Sequence, residues 1–474
     1  MRCNVNNKIK FGLVWNILDK LINQLLYFFI LIYIGKIIGP YSFGLIGIAS
    51  VFITLSESLI NYGFSQALIQ KNKINNIDSS TIFYTSLVSS LIIYISFFIL
   101  SERIALFYNM PELSKIICIL LTIIIVNSIS VVPKAILLID FKYHLITVSN
   151  CIATIVSSIV AIYLLNSGYS YWSFVYFNVI RAILNVLFIF YFAKWVPSCI
   201  FSFLSLKEFA RFSIFLSLSG ILSSLVNNAY VLLIGKYFNS FNVGLFTQAN
   251  NISSMLSGVL TSIIQGVAFP TLSKSKQNSA SFERDFITLF KANVLLTLPV
   301  LVGFCLISNE FIYIFLGSDW ISLTPILNLF ALAKIFSSLS IVNINAMNAV
   351  GRSDIFFISD LLKLPIIFLG IIISIQFSLY YVSLSFLITS IISYIITVFF
   401  SKKVINTTFF RQIKMMTPFV FSTLLMYIVV SSIQLENIYF SIISKITSGF
   451  LIYTLSLISF YKLDKIYKNG KNQF

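Results

Sequence analysis

Charge is scarce in this chain. Only 10% of its 474 residues are Asp, Glu, Lys or Arg, 58% are hydrophobic, and the mean hydropathy is +0.96. A soluble fold of this size cannot hide so many consecutive Ile, Leu and Phe residues. Histidine is nearly missing: His144 stands alone and reads as a solvated loop residue. No Walker A loop, HExxH or GxSxG stretch occurs. That removes the usual sequence signatures of nucleotide hydrolases, zinc proteases and serine hydrolases. The cysteines Cys3, Cys118, Cys151, Cys199 and Cys305 have neither CxxC nor metal-ligand spacing and read as buried free thiols. No small-residue cleavage site follows the basic start, so the first apolar segment is expected to remain as a helix. Ten-residue alternating segments are missing too. That leaves helices, not a closed barrel, to satisfy the backbone in lipid.

What is present is a series of bilayer-length apolar runs. They predict an all-α integral membrane protein of about fourteen spans. The spans fall at roughly 13–35, 43–62, 82–100, 116–138, 148–165, 172–193, 212–234, 245–268, 288–308, 324–348, 356–375, 380–400, 417–434 and 438–461. The net charge of +17 is not spread evenly. With these spans, 22 Lys and Arg residues fall on the side of the two termini and only 4 on the other. That bias predicts cytoplasmic termini. It makes the basic excess a topology signal and a contact for anionic membrane lipids, not a nucleic-acid patch.

The chain also repeats itself. Residues 34–45 read IGKIIGPYSFGL and residues 234–245 read IGKYFNSFNVGL. Ile, Gly, Lys, Gly and Leu recur at a spacing of 200, each time between two long apolar runs. An even number of spans per copy gives both copies the same membrane orientation. The expected organisation is an N-terminal lobe over 1–200, a C-terminal lobe over 201–402, and two further helices with a basic cytoplasmic tail over 403–474.

A cavity between such lobes needs polar residues at helical spacing. Span 1 offers Asn16, Lys20, Asn23, Gln24 and Tyr27, and span 2 offers Gly47, Ser50, Thr54, Glu57, Asn61 and Ser65. Span 8 offers Thr247, Asn251, Ser254, Gly258, Thr261 and Gln265. Each set lies on one helix face, where it either lines a cavity or packs helices through small residues. Ionisable residues deep in a span are costly and mark function. Lys20, Arg181, Lys334 and Lys363 are the candidate substrate-binding cations, with Asn23 and Gln24 beside them. Glu57 and Asp360 are the candidate ion-coupling carboxylates, although Asp360 and Lys363, three residues apart, also suit a neutralising pair. Glu57 is expected either to take up a proton or to pair with Lys20. Lys134 and Lys445 read as snorkelling. Internal cations outnumber internal anions, which suits a phosphate or diphosphate cargo.

The stretch GPYSFGLIGIASVFITLSESLINYGFSQALIQKNK at 39–73 resembles the start of Wzx-type polysaccharide flippases, of the multidrug/oligosaccharidyl-lipid/polysaccharide exporter superfamily. The resemblance continues at STIFYTSL (80–87), Pro133, GYSYWSFV (168–175), KWVPS (194–198), LLIGKYFNSFNVGLFTQANNI (232–252) and AFPTLSK (268–274), and fades after about residue 400. It implies a flippase, not an enzyme, that carries an undecaprenyl-diphosphate-linked oligosaccharide across the bacterial cytoplasmic membrane. It also implies alternating access, no cofactor beyond a proton or sodium gradient, and a polysaccharide polymerase and chain-length regulator as partners. Relatives often have an acidic residue in span 7, whereas this chain has Asn227-Asn228-Ala229-Tyr230. Two other readings remain open. A multidrug or cation antiporter of the same superfamily would favour a carboxylate-dominated cavity. A membrane-embedded polysaccharide polymerase would need reactive groups on a long external loop.

Overall fold

Residues 2–70, 75–405 and 407–471 are described by the computed structural model. Within them, the side chains of 2–21, 59–67, 69–70, 208, 210–219, 223, 353, 461 and 463–471 lie outside the description. Among the described residues the structure is helical, with no strand. The helices are α1 (Arg2–Gln70), α2 (Asn76–Tyr108), α3 (Glu112–Leu120), α4 (Thr122–Ile139), α5 (Tyr143–Asn166), α6 (Trp172–Ala193) and α7 (Phe203–Tyr237). There follow α8 (Ser240–Ser275), α9 (Ser279–Phe315), α10 (Thr324–Ala349), α11 (Ser353–Ser374), α12 (Leu379–Ser401), α13 (Phe409–Ser431) and α14 (Ile438–Lys471). Twelve stretches among the described residues are long and apolar enough to cross a membrane. One of them, Glu112–Ile139, joins α3 to α4. Another, Ile22–Ser58, runs through a break in α1. Large apolar side chains stay exposed along these helices, for example Ile99 at 69% and Phe399 at 67%, as a lipid-facing surface requires.

The break in α1 has a local cause. Gly39 adopts φ 74° and ψ 173°, a conformation open to glycine and hardly to any other residue. Pro40 then begins the next helix, where its missing N–H costs nothing. Two hundred residues on, the chain breaks again between α7 and α8, and Asn239 Oδ1 accepts from the Asn242 amide at 3.0 Å as a helix cap.

The two repeat segments pack against each other. A Cβ built on Gly44 would lie 1.8 Å from the Ser240 carbonyl oxygen, and one on Gly244 would lie 1.9 Å from that of Pro40. Positions 40 and 44 correspond to 240 and 244 in the repeat, so the contact is reciprocal. Gly47 faces its own counterpart: a Cβ there would meet Thr247 Cγ2 at 2.9 Å. Small residues let the backbones approach, the usual means of joining helices in lipid. Ser240 Oγ adds a hydrogen bond to the Tyr41 carbonyl at 2.6 Å, and the Ser58 and Ser224 hydroxyls meet at 2.5 Å. Of the polar stripes read in the sequence, Gly47 and Thr247 thus serve packing.

The chain forms two compact units, Met1–Thr247 and Gln248–Phe474. In unit 1, α1 packs on α5 and α7, and α4 and α5 pack on α6. In unit 2, α10 packs on α9 and α12, and α13 packs on α9 and α14. A buried amide network ties α13 to that core. Gln412 Nε2 donates to Asn343 Oδ1 at 2.9 Å, Tyr394 OH donates to Gln412 Oε1 at 2.8 Å, and Ser401 Oγ donates to Asn343 Oδ1 at 3.0 Å. All four residues are buried.

Several readings of the sequence are corrected here. Cys199 is exposed, because the segment after α6 is extended; Cys118, Cys151 and Cys305 are half-buried. His144 is half-buried in the first turn of α5, not solvated in a loop. Lys445 does not snorkel. It forms a salt bridge with Glu310 of α9, and both side chains are mostly buried. Cys3 lies outside the described side chains.

Candidate functional site

Unit 1 contains a cavity of about 550 Å3 whose walls are largely polar. Each wall follows from helix periodicity. On α1, Ser50, Thr54 and Glu57 share one face, and Tyr27 contributes from beyond the Gly39 break. On α4, Asn127, Ser130 and Lys134 stand at i, i+3 and i+7. On α6, Asn178, Arg181 and Asn185 repeat that spacing, and Asn150 comes from α5.

Two of the three charged groups, Arg181 and Glu57, are held in place. Arg181 Nε donates to Thr154 Oγ1 at 3.0 Å, and its guanidinium carbon lies 5.1 Å from the Tyr27 ring centroid. Hydrogen bonding on one edge and stacking on a face leave the outer fork of the guanidinium aimed elsewhere. Glu57 Oε1 accepts from Asn127 Nδ2 at 2.6 Å, and Lys134 is the cation that acts on this carboxylate through space. Asn185 Nδ2 donates to Asn150 Oδ1 at 2.5 Å, which joins α6 to α5.

Of the residues singled out in the sequence, Arg181 and Glu57 share this cavity. Asn23 and Gln24 are half-buried on α1 and are not among its lining residues. The Lys20 side chain, and with it the expected pair with Glu57, lies outside the described residues. The other three are in unit 2. Lys334 Nζ sits 5.6 Å from the Phe386 ring centroid, and Lys363 pairs with Asp360 at 2.7 Å. Sequence reasoning missed Asn127, Ser130, Asn150, Asn178 and Asn185, and it read Lys134 as snorkelling where the side chain lines the cavity. Their signal was available as the i, i+3, i+7 spacing on α4 and α6. Among the described residues no cluster of His, Cys, Asp or Glu could hold a metal ion.

A polar, partly cationic cavity lined by membrane-length helices suits a multi-pass membrane transporter. Its family follows from comparison with known proteins. Residues 34–325 match the family described as Polysaccharide biosynthesis protein, and the chain belongs to it. It is 24% identical over 440 residues to the teichuronic acid biosynthesis protein TuaB of Bacillus subtilis (strain 168), covering 88% of this chain and 87% of that protein. It is 23% identical over 389 residues to the lipopolysaccharide biosynthesis protein WzxC of Escherichia coli (strain K12), covering 80% and 78%. Its fold is that of the lipid II flippase MurJ in an inward closed conformation, with a TM-score of 0.77 at 17% identity over 96% of this chain and 99% of that one. An inward-facing MATE multidrug transporter of the MOP superfamily matches at 0.65, with 16% identity, over 83% and 96%.

Proposed function

We propose that this protein flips an undecaprenyl-diphosphate-linked oligosaccharide repeat unit across the bacterial cytoplasmic membrane by alternating access. The product would feed O-antigen, capsular or exopolysaccharide synthesis, and both termini would lie in the cytoplasm. The observation that supports this reading best is the cavity of unit 1. Arg181 and Lys134 outnumber Glu57 there, and the remaining polar lining is carboxamides and hydroxyls. Cations suit a diphosphate, and neutral polar groups suit sugar hydroxyls. A cation antiporter would want the reverse balance.

The polyprenyl tail needs a greasy path. Unit 2 offers an apolar cavity of about 490 Å3 between α9, α13 and α14, lined by Pro299, Gly303, Met426, Gly449, Phe450 and others. The protein acts as a carrier, not an enzyme, with a polysaccharide polymerase and a chain-length regulator taking over the flipped unit. The similarity to TuaB, a teichuronic acid biosynthesis protein, and WzxC, a lipopolysaccharide biosynthesis protein, supports this reading.

The test is reconstitution into vesicles loaded with a polyprenyl-diphosphate oligosaccharide. Wild-type protein should expose the glycan to an external lectin, and Arg181→Ala should stop that exposure while still inserting. Normal flipping by Arg181→Ala would defeat the cationic-cavity account. No flipping by the wild type would defeat the transport assignment.

A further inference from the structure

The connection from α6 to α7 holds apolar side chains in the open, yet it lies outside the membrane-length stretches found among the described residues. Lys194, in the left-handed conformation, ends α6. Pro197 cannot continue a helix, and it keeps Val196 before it extended. The extended run lasts to Ser202, whose hydroxyl caps α7 by accepting from the Ser205 amide at 3.4 Å. One side of this strap is fixed. The Ser198 amide donates to Ser80 Oγ at 2.9 Å and the Ser202 amide to Thr81 Oγ1 at 3.1 Å, both buried in the first turns of α2. Trp195 meets Phe83 edge to face, with ring centroids 5.7 Å apart. The other side is open. Val196, Phe203 and Leu204 are 78%, 79% and 83% exposed, and Lys194 and Lys207, exposed as well, flank them.

The helix beneath sets the depth of the strap. The charged residues of α2 are Asp78 near one end and Glu102 and Arg103 toward the other. A helix crosses the hydrocarbon in about twenty residues, and counting that many back from Glu102 reaches Ile82. Ser80 and Thr81, which hold the strap, therefore stand at the edge of the hydrocarbon, where acyl chains meet headgroups. Apolar side chains left facing water at that level would be costly, and lipid is the neighbour that meets them there. The flanking cations fix the kind of lipid. A lysine stem lies along apolar surface while its ammonium reaches outward, and near a membrane it is drawn to anionic headgroups.

We infer that the strap over 194–207 is a membrane-interface surface that takes anionic phospholipid. Val196, Phe203 and Leu204 enter the acyl-chain boundary, and Lys194 and Lys207 meet the phosphate groups above it. None of these residues lines the cavity of unit 1, so the lipid contact holds whatever the cargo is.

The test is photocrosslinking of the full-length protein in nanodiscs of phosphatidylglycerol and phosphatidylcholine, equimolar and with identical acyl chains. p-Benzoylphenylalanine replaces Val196, Phe203 or Leu204, one at a time, and mass spectrometry identifies the adduct. All three side chains are exposed, so the probe displaces no packed neighbour. Ile92, exposed midway along α2, is the control for bulk lipid, and Gln277, exposed in the turn between α8 and α9, is the control for water. Each strap position should give lipid adducts, with about fivefold more phosphatidylglycerol than phosphatidylcholine. Ile92 should give the two equally, and Gln277 almost none. Lys194→Gln combined with Lys207→Gln should return the strap to equal yields. If no strap position gives a lipid adduct while Ile92 does, the interface assignment is overturned. Equal yields from the unsubstituted strap, or an excess that survives the double substitution, would overturn the choice of anionic lipid. Adducts to another protein in place of lipid, in whole cells, would make this a protein-docking face and overturn the inference as well.

Discussion

Gly44 has no room for a side chain, because the carbonyl oxygen of Ser240 lies 1.8 Å from where its Cβ would stand. Gly244 meets the Pro40 carbonyl in the same way at 1.9 Å. Backbone atoms cannot swing aside as a flexible side chain can. Gly44→Ala and Gly244→Ala should therefore each push the two segments apart and cost about 1–3 kcal/mol, read as a fall in Tm in detergent. Gly449→Ala is the control. Its nearest neighbour, Val430 Cγ2, lies 3.6 Å away, at ordinary contact distance. That change should leave Tm level or slightly raised, since alanine is the better helix former.

The Glu310–Lys445 pair is mostly buried, with side chains 14% and 13% exposed. Lys445 Nζ also donates to the Leu306 carbonyl at 3.3 Å, and Ser441 Oγ donates to Glu310 Oε1 at 3.2 Å. Removing one partner strands a buried charge. Lys445→Ala should cost about 3–5 kcal/mol and loosen α14 from α9. Replacing both partners by Met should recover most of that stability. Equal loss in the single and double variants, measured by thermal unfolding, would mean the pair is not the source.

The amide network around Gln412 should respond as a unit. Gln412→Leu leaves the Asn343 side chain and the Tyr394 hydroxyl without a bond each now makes to it. The expected loss is about 1–3 kcal/mol. Combining it with Asn343→Leu should cost less than the sum of the single changes, because the two side chains share one network. A double-mutant cycle on Tm measures this.

Energy coupling can be separated from binding at Glu57. Glu57 is a carboxylate within a membrane-length stretch, held through one oxygen by Asn127 with the other oxygen facing the cavity lining. Flipping by wild-type protein is expected to respond to a proton gradient imposed across vesicles, and Glu57→Gln to lose that response with folding retained. An unchanged response in Glu57→Gln would exclude this carboxylate as the proton site and leave it a role in recognition.

The helices were legible because lipid enforces long apolar runs, and the break at Gly39-Pro40 falls in the gap between the first two expected spans. Arg181 and Glu57 stood out by depth alone, since charge within a span is rare. Lys134 did not. Near the end of a span a lysine reads as reaching for the interface, and only the neighbouring faces of α4 and α6 reveal that it lines a cavity. Partner choice was the illegible part. Glu57 bonds to Asn127, 70 positions away, and Glu310 pairs with Lys445, 135 positions away. Such pairings depend on how helices pack, which a one-dimensional pattern of polarity does not encode.

The reciprocal contact of 40 and 44 with 240 and 244 has the form of an isologous dimer interface, in which each partner offers the other the same surface. Two identical half-length chains related by a two-fold axis would make it without any fusion. Joined in one polypeptide, the copies have been free to diverge elsewhere: Glu57 has Ser257 as its counterpart, and Tyr27 has Asn227. At this seam a substitution in one copy is felt by the other, so drift there is restrained in pairs.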